Sequence, residues 1–217
     1  MVKAQDTRIY QSFYTKSTSI VEYMVAQLQC SPGDTVLEPC SGDGVFIDAI
    51  LAHHPIRQFD ICELDEYAYK TLCSKYASLP HIRIRNCDTL LDEEMIVKSR
   101  IGVKYDKIIG NPPYGAWLDY AKRLLLKKIY PGLYVKETYA LFLYRCIELL
   151  KNDGILSFII PDTFLNLHLH QSLSLYILLL LNILYKYLLA HLHNLSLLHR
   201  LTCLPLSLLN NTDLNKI

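Results

Sequence analysis

The sequence predicts an α/β domain with a mainly parallel sheet flanked by helices. Two observations carry that prediction. Short β-rich runs alternate with amphipathic helical patterns through the first three quarters of the 217 residues. The polar residues that stand out for their chemistry also fall at the carboxyl ends of the predicted strands, where such sheets bind ligands.

The elements follow in order. Ser17 to Gln29 carries Ile20, Val21, Met24, Val25 and Leu28 at helical spacing. Ser31-Pro-Gly-Asp34 reads as a turn, and Thr35 to Glu38 as a short buried strand. Gly42 and Gly44 lead into a helix from Val45 to His53. Gln58 to Glu63 is a second strand, followed by a helix from Asp65 to Ala77 with Asp65 at its N-cap. His81 to Asn86 alternates Ile82 and Ile84 with polar neighbours, a third strand. Tyr105 to Gly110 is a fourth strand and runs directly into Asn111-Pro-Pro-Tyr114. Glu137 to Lys151 is a strongly periodic helix closed by Asn152-Asp-Gly154, and Ile155 to Ile160 is an apolar fifth strand.

The averages hide an uneven chain. Hydrophobic content is 51%, charged content 20%, and Lys+Arg 22 against Asp+Glu 21 gives a net charge of +1. That balance excludes a disordered tail protein and a globally basic nucleic-acid binder. Seven scattered cysteines form no CxxC pair and no metal-ligand spacing, so reduced thiols in a cytoplasmic protein, with no metal, are expected. All eight glycines lie at or before Gly154, whereas the 54 residues from Phe164 to Ile217 include 22 leucines and five of the eight histidines. We therefore expect a folded domain over residues 1–163 and an atypical Leu/His-rich tail over 164–217. Three accounts of the tail compete: a membrane segment around Leu173 to Leu189, a helical hairpin, and a product of a shifted reading frame. Asn182 and Lys186 interrupt the first, so no membrane association is expected. The shifted frame is the expectation adopted.

Four motifs carry chemistry. Glu38-Pro-Cys-Ser-Gly-Asp-Gly44 joins a strand to a helix, and Gly42 and Gly44 permit a tight turn and a close approach to a ligand. The spacing differs from that of dinucleotide binders, and a plain βα turn is the alternative. Glu63 closes the second strand, where an acid can accept bonds from both hydroxyls of a ribose; a solvated carboxylate is the alternative. Asp88, after the third strand, can accept an exocyclic amino proton of adenine or else cap the next helix. In Asn111-Pro112-Pro113-Tyr114 the prolines remove two donors, leaving the Pro112 carbonyl to accept beside the Asn111 amide. Two adjacent acceptors suit an exocyclic amino group, and Tyr114 offers a flat face for a planar ring. A rigid proline turn with a packing tyrosine is the alternative.

This order of motifs resembles the S-adenosylmethionine-dependent, adenine-specific DNA methyltransferases of restriction–modification systems, in the group whose cofactor motifs precede the catalytic one. The resemblance implies a Rossmann-like methyltransferase domain with S-adenosyl-L-methionine as cofactor. It assigns Glu38, Gly42 and Gly44 to the cofactor's methionine part, Glu63 to its ribose, Asp88 to its adenine, and Asn111, Pro112, Pro113 and Tyr114 to the target base. Phe13-Tyr14-Thr15-Lys16 resembles the segment closing over the methionine end, so Tyr14 and Thr15 join the cofactor set. The implied partners are double-stranded DNA with a flipped adenine, and a restriction endonuclease, separate or fused. Lys122, Arg123, Lys127, Lys128 and Lys136 are candidates for phosphate contact, or form a solvated helix face.

The resemblance covers residues 8 to 167. The family continues with two further strands and a target-recognition domain, which the Leu/His tail does not resemble, so the chain is expected to be truncated or frameshifted there. Two enzymatic alternatives share NPPY: glutamine N5-methylation in a protein, whose carboxamide poses the same problem as adenine N6, and RNA adenine methylation. A non-catalytic fragment is a third alternative.

Overall fold

A computed structural model describes residues 15–114, 118, 120–133 and 138–161. The expectations for Tyr14, Lys136 and the Leu/His tail that begins at Phe164 lie outside the described residues.

Five strands form one parallel sheet: β1 (Thr35–Glu38), β2 (Gln58–Glu63), β3 (Ile82–Asn86), β4 (Tyr105–Gly110) and β5 (Leu150–Phe158), in the order β3-β2-β1-β4-β5. Six helices connect or precede them: α1 (Thr18–Leu28), α2 (Val45–His53), α3 (Glu66–Tyr76), α4 (Glu93–Ile101), α5 (Tyr120–Ile129) and α6 (Thr138–Leu149). The chain builds outward from β1 to β3, then returns to lay β4 on the other side of β1. The β1/β4 boundary is therefore the topological switch point, where the loops leaving two neighbouring strands diverge and open a crevice.

Strand alternation divides the core into two layers. Val36, Phe59, Ile61, Ile109 and Ile155 face one way and pack with Val21, Met24 and Leu28 of α1, Phe46, Ile47 and Ile50 of α2, and Leu72 and Tyr76 of α3. Leu37, Cys62, Ile108, Leu156 and Phe158 face the other way, against Met95 of α4, Leu126 of α5 and Leu141, Cys146 and Leu149 of α6. Both sheet faces are thus covered, as in other mainly parallel sheets.

Most of the expected elements are present within a residue or two. The Asp65 side chain caps α3, accepting from the Ala68 amide at 2.8 Å. Two further helices have bounds that only the structure supplies. α4 buries only Met95; Asp92 caps it through the Met95 amide at 2.9 Å, Glu93 and Glu94 occupy its first turn, and left-handed Gly102 (φ 77°) ends it. α5 buries only Leu126 and leaves Leu124 and Leu125 about half exposed.

The fifth strand differs from its expected bounds of Ile155 to Ile160. It starts at Leu150, directly after α6, and ends at Phe158. Leu150 pairs with Tyr105 and Ile155 with Lys107, so the register shifts between them and Asn152-Asp-Gly154 becomes an irregularity within the strand. A Cβ on Gly154 would lie 2.8 Å from Leu150 Cδ1 and 3.0 Å from the Asp106 carbonyl oxygen. The glycine therefore marks close backbone approach rather than a helix-to-strand turn.

Candidate active site

The loop after β1 is built by main-chain and carboxylate contacts. Gly44 adopts φ 81° at the start of α2, and a Cβ there would come within 2.7 Å of Leu72 Cδ2 and 2.9 Å of the Tyr76 hydroxyl. Both backbone conformation and packing against α3 thus require glycine. Gly42 (φ 56°) turns its amide onto Glu63, donating to Oε2 at 2.6 Å. The Asp65 amide donates to the other oxygen, Oε1, at 2.7 Å. Glu63 is buried, and burial raises its carboxyl above the usual range while the Asp65 and Gly42 amides oppose that shift. The two strand-end motifs are therefore one unit: Glu63 holds the glycine loop of β1.

Glu38 is the least satisfied group of the site. It is 1% exposed, and among the described residues no donor reaches either of its carboxyl oxygens. Burial, then the nearby Glu63, holds its carboxyl well above the usual carboxylate range. A buried acid without a donor costs free energy that a cationic or donating group at this spot would recover.

Asp88 lies beyond β3 and is tied to the loop of β1 through its neighbour. The Thr89 hydroxyl donates to the Pro39 carbonyl at 2.5 Å. Asp88 Oδ1 accepts from the Leu90 amide at 3.1 Å, and Oδ2 pairs with Lys122 of α5 at 2.5 Å. Asp92, not Asp88, caps α4. Lys122, placed with the phosphate candidates by sequence, thus sits against a candidate cofactor residue instead.

Asn111-Pro-Pro-Tyr114 leaves β4 beside the β1 loop. The Gly110 carbonyl accepts from the Ile159 amide at 3.1 Å, and the partly buried Cys40 thiol sits close against Gly110, beside the Asn111 amide. Asn111 Nδ2 donates to the Thr15 hydroxyl at 3.1 Å, bringing a residue of the N-terminal motif to the NPPY loop. The Thr138 hydroxyl, at the start of α6, donates to the Pro113 carbonyl at 2.6 Å. Tyr114 is half-buried at the seam of both core layers; burial, then Cys40, pushes its hydroxyl up to about 12. Close approach of the two loops needs Gly110, where a Cβ would meet Phe158, Cys40 and Pro39 at 3.3 to 3.4 Å.

The structure therefore joins Glu38, Gly42 and Glu63 at the end of β1, and Thr15 with Asn111 at the end of β4. Asp88 stands apart, linked through Thr89. Cys40, Thr89 and Thr138 escaped the sequence reading. Cys40 lies inside a motif already singled out, but Thr89 and Thr138 are hydroxyls far along the chain with no local pattern to mark them.

Known proteins resemble this chain in sequence and in fold. The family model for the Eco57I restriction-modification methylase matches residues 55–187, continuing past the described residues into the Leu-rich segment. The modification methylase CviBIII of Paramecium bursaria Chlorella virus NC1A is 37% identical over 147 residues, covering 67% of this chain and 35% of that protein. The type II methyltransferase M.AccI of Acinetobacter calcoaceticus is 35% identical over 137 residues, covering 61% and 24%. The chain thus spans about a third or less of the length of these relatives. In structure it is similar to a provisionally assigned class I S-adenosylmethionine-dependent methyltransferase from Listeria monocytogenes, with TM-score 0.56 and 15% identity over 73% of this chain and 49% of that one. With a Rossmann-like methyltransferase sheet and a family match over more than half of its residues, the chain belongs to the Eco57I restriction-modification methylase family.

Proposed function

We propose that this chain carries the cofactor-binding and catalytic part of an S-adenosylmethionine-dependent methyltransferase that modifies the N6 amino group of adenine in DNA. The observation that carries the reading is the Asn111-Pro-Pro-Tyr114 loop at the β1/β4 switch point, beside a buried Glu38 with no donor among the described residues. Family membership and relatives named as a modification methylase and a type II methyltransferase support DNA as the substrate class.

The residues present fit the cofactor. S-adenosylmethionine is cationic and carries an ammonium group, and Glu38 is an acid lacking a donor. Glu38, Gly42 and Gly44 would hold its methionine part together with Tyr14 and Thr15, Glu63 its ribose and Asp88 its adenine. When bound, it supplies an electrophilic methyl group for direct transfer.

The chain's own residues present the nucleophile. Asn111 and the Pro112 carbonyl accept the two protons of an exocyclic amino group and fix its orientation. Among the described residues no donor reaches the Pro112 carbonyl, which supports its role as an acceptor for substrate. Tyr114 stacks on the base, which leaves the duplex at a cost of a few kcal/mol in lost stacking. Orientation then does most of the catalytic work. Residues 1–163 form the catalytic domain in this reading, and 164–217 lie outside it.

The test compares the chain with its Asn111→Ala variant, using radiolabelled methyl transfer to DNA, RNA and protein acceptors and calorimetric cofactor titration. Transfer to DNA adenine is expected, abolished in Asn111→Ala with cofactor affinity nearly unchanged. Transfer to a protein glutamine or to RNA overturns the substrate. Loss of cofactor affinity in the variant overturns the assignment of Asn111.

A further inference from the structure

We propose that Thr138 is a positioning residue for the NPPY loop, leaving the Pro112 carbonyl as the loop's open acceptor. The proposal rests on the methyl-transfer reading of the loop. Its basis is a count of the loop's backbone groups. Two prolines remove two N–H donors, so residues 111–114 have an excess of carbonyls and few ways to anchor themselves. Among the described residues, the Ile159 amide holds the Gly110 carbonyl and the Thr15 hydroxyl holds the Asn111 side chain at 3.1 Å. The Thr138 hydroxyl holds the Pro113 carbonyl at 2.6 Å, on the part of the loop that carries Pro112 and Tyr114.

Thr138 suits the task. It is 2% exposed at the first turn of α6, directly before the core residues Tyr139, Ala140 and Leu141. α6 is seated against β5 and the rest of its core layer, so the hydroxyl is delivered from a rigid element. Satisfying the Pro113 carbonyl removes a competing acceptor next to the target amino group. An amino group with two protons then meets Asn111 and Pro112 rather than Pro113.

The experiment uses the full chain and the variants Thr138→Val, which keeps the shape and deletes the donor, and Thr138→Ser, which restores the donor. Hydrogen exchange at the Asn111 and Tyr114 amides reads loop anchoring without any turnover. Methyl transfer to adenine-containing DNA and calorimetric S-adenosylmethionine binding read function. For Thr138→Val we expect amide exchange at least tenfold faster and kcat lowered by about 10- to 100-fold, the size of effect that misplacement by about 1 Å produces. Cofactor Kd should stay within about twofold, and Thr138→Ser should restore both exchange and kcat. Exchange unchanged in Thr138→Val overturns the anchor. Faster exchange with undiminished kcat overturns its link to catalysis, as does a Kd that worsens in step with kcat. A Thr138→Ser variant that fails to recover does the same. If Thr138→Val does not fold, Thr138→Ala is read by the same assays. If the wild-type chain binds cofactor but transfers no methyl to DNA, the substrate reading fails, and the exchange data alone decide the anchor.

Discussion

Glu38→Gln reports on the buried acid at the heart of the site. Both carboxyl oxygens of Glu38 lack a donor among the described residues, and burial together with Glu63 raises the carboxyl well above its ordinary range. In the unfolded chain the same group titrates near about 4.3. Between that value and the raised folded one, the folded protein holds one more proton at this position than the unfolded chain does. Its contribution is fully present below the unfolded pKa and is lost as pH rises through the folded one, at about 1.4 kcal/mol per pH unit. Glutamine is close in shape and neutral throughout, so it removes this slope. The stability of Glu38→Gln minus that of the wild type should therefore climb with pH, by at most about 3 kcal/mol between pH 5 and 7. The amide brings its own unsatisfied groups, which add a constant offset, so the slope and not the absolute value is diagnostic. Glu63 is also raised by burial in both proteins, so its own slope cancels in the difference. Urea unfolding at four pH values between 5 and 8 measures the difference. A difference constant within about 0.5 kcal/mol, or one that falls with pH, refutes a protonated, buried Glu38. In the proposed function a cationic cofactor beside Glu38 displaces this proton. Binding heats should then depend on the ionisation enthalpy of the buffer for the wild type and not for Glu38→Gln.

Two structural predictions follow from other buried groups. Asp60 of β2 accepts from the Tyr105 hydroxyl at 2.6 Å, Gln58 Nε2 at 2.7 Å and Lys98 Nζ at 2.9 Å, tying β2 to α4 and β4. Burial opposes ionisation, but these donors outweigh it and hold the Asp60 carboxyl below its usual value. Its stabilisation is present above the unfolded carboxyl pKa and is lost as pH falls through the folded one, so it acts at neutral pH. Asp60→Ala removes three hydrogen bonds to a buried carboxylate but leaves Lys98 its pair with Glu94 at 3.1 Å, so it should cost about 1–3 kcal/mol in urea unfolding at pH 7; a loss under about 0.5 kcal/mol refutes the network. Gly44→Ala forces a side chain into φ 81° and against Leu72 and Tyr76. The backbone conformation alone should cost about 1–2 kcal/mol, read as a lowered Tm, and an unchanged Tm would show that α2 can start another way.

The legible part of the fold was the part where periodicity and burial agree. β1, β2 and β4 are covered on both faces, and each carries an adjacent apolar pair split between the two layers: Val36 with Leu37, Ile61 with Cys62 and Ile109 with Ile108. α1 and α2 bury a definite stripe whose period appears in one dimension, whereas α6 is buried on every side from Thr138 to Leu143 and reads as an apolar run. α4 and α5 each bury a single large residue; α4 is set by its Asp92 and Gly102 caps and terminal charges, and α5 carries Lys127 and Lys128 in its last turn. At β5 the glycine of Asn152-Asp-Gly154 looks like a turn, because a bulge and a turn both demand it; only the Tyr105–Leu150 pairing separates the two.

By itself, the sequence determined the alternation of elements, the strand-end chemistry and the NPPY loop, because each rests on residues close together along the chain. The tertiary structure decided which of those strand ends become neighbours. The order β3-β2-β1-β4-β5 sets the NPPY loop next to the Glu38 loop and leaves Asp88 two strands away from β1. It also decided what holds the site: Glu63 on the Gly42 amide, Thr89 on Pro39, Thr15 on Asn111, and Thr138 on Pro113. Each is a single polar contact between segments 21 to 96 residues apart. A lone hydroxyl leaves no periodic trace in a sequence, so only the packed sheet could reveal it.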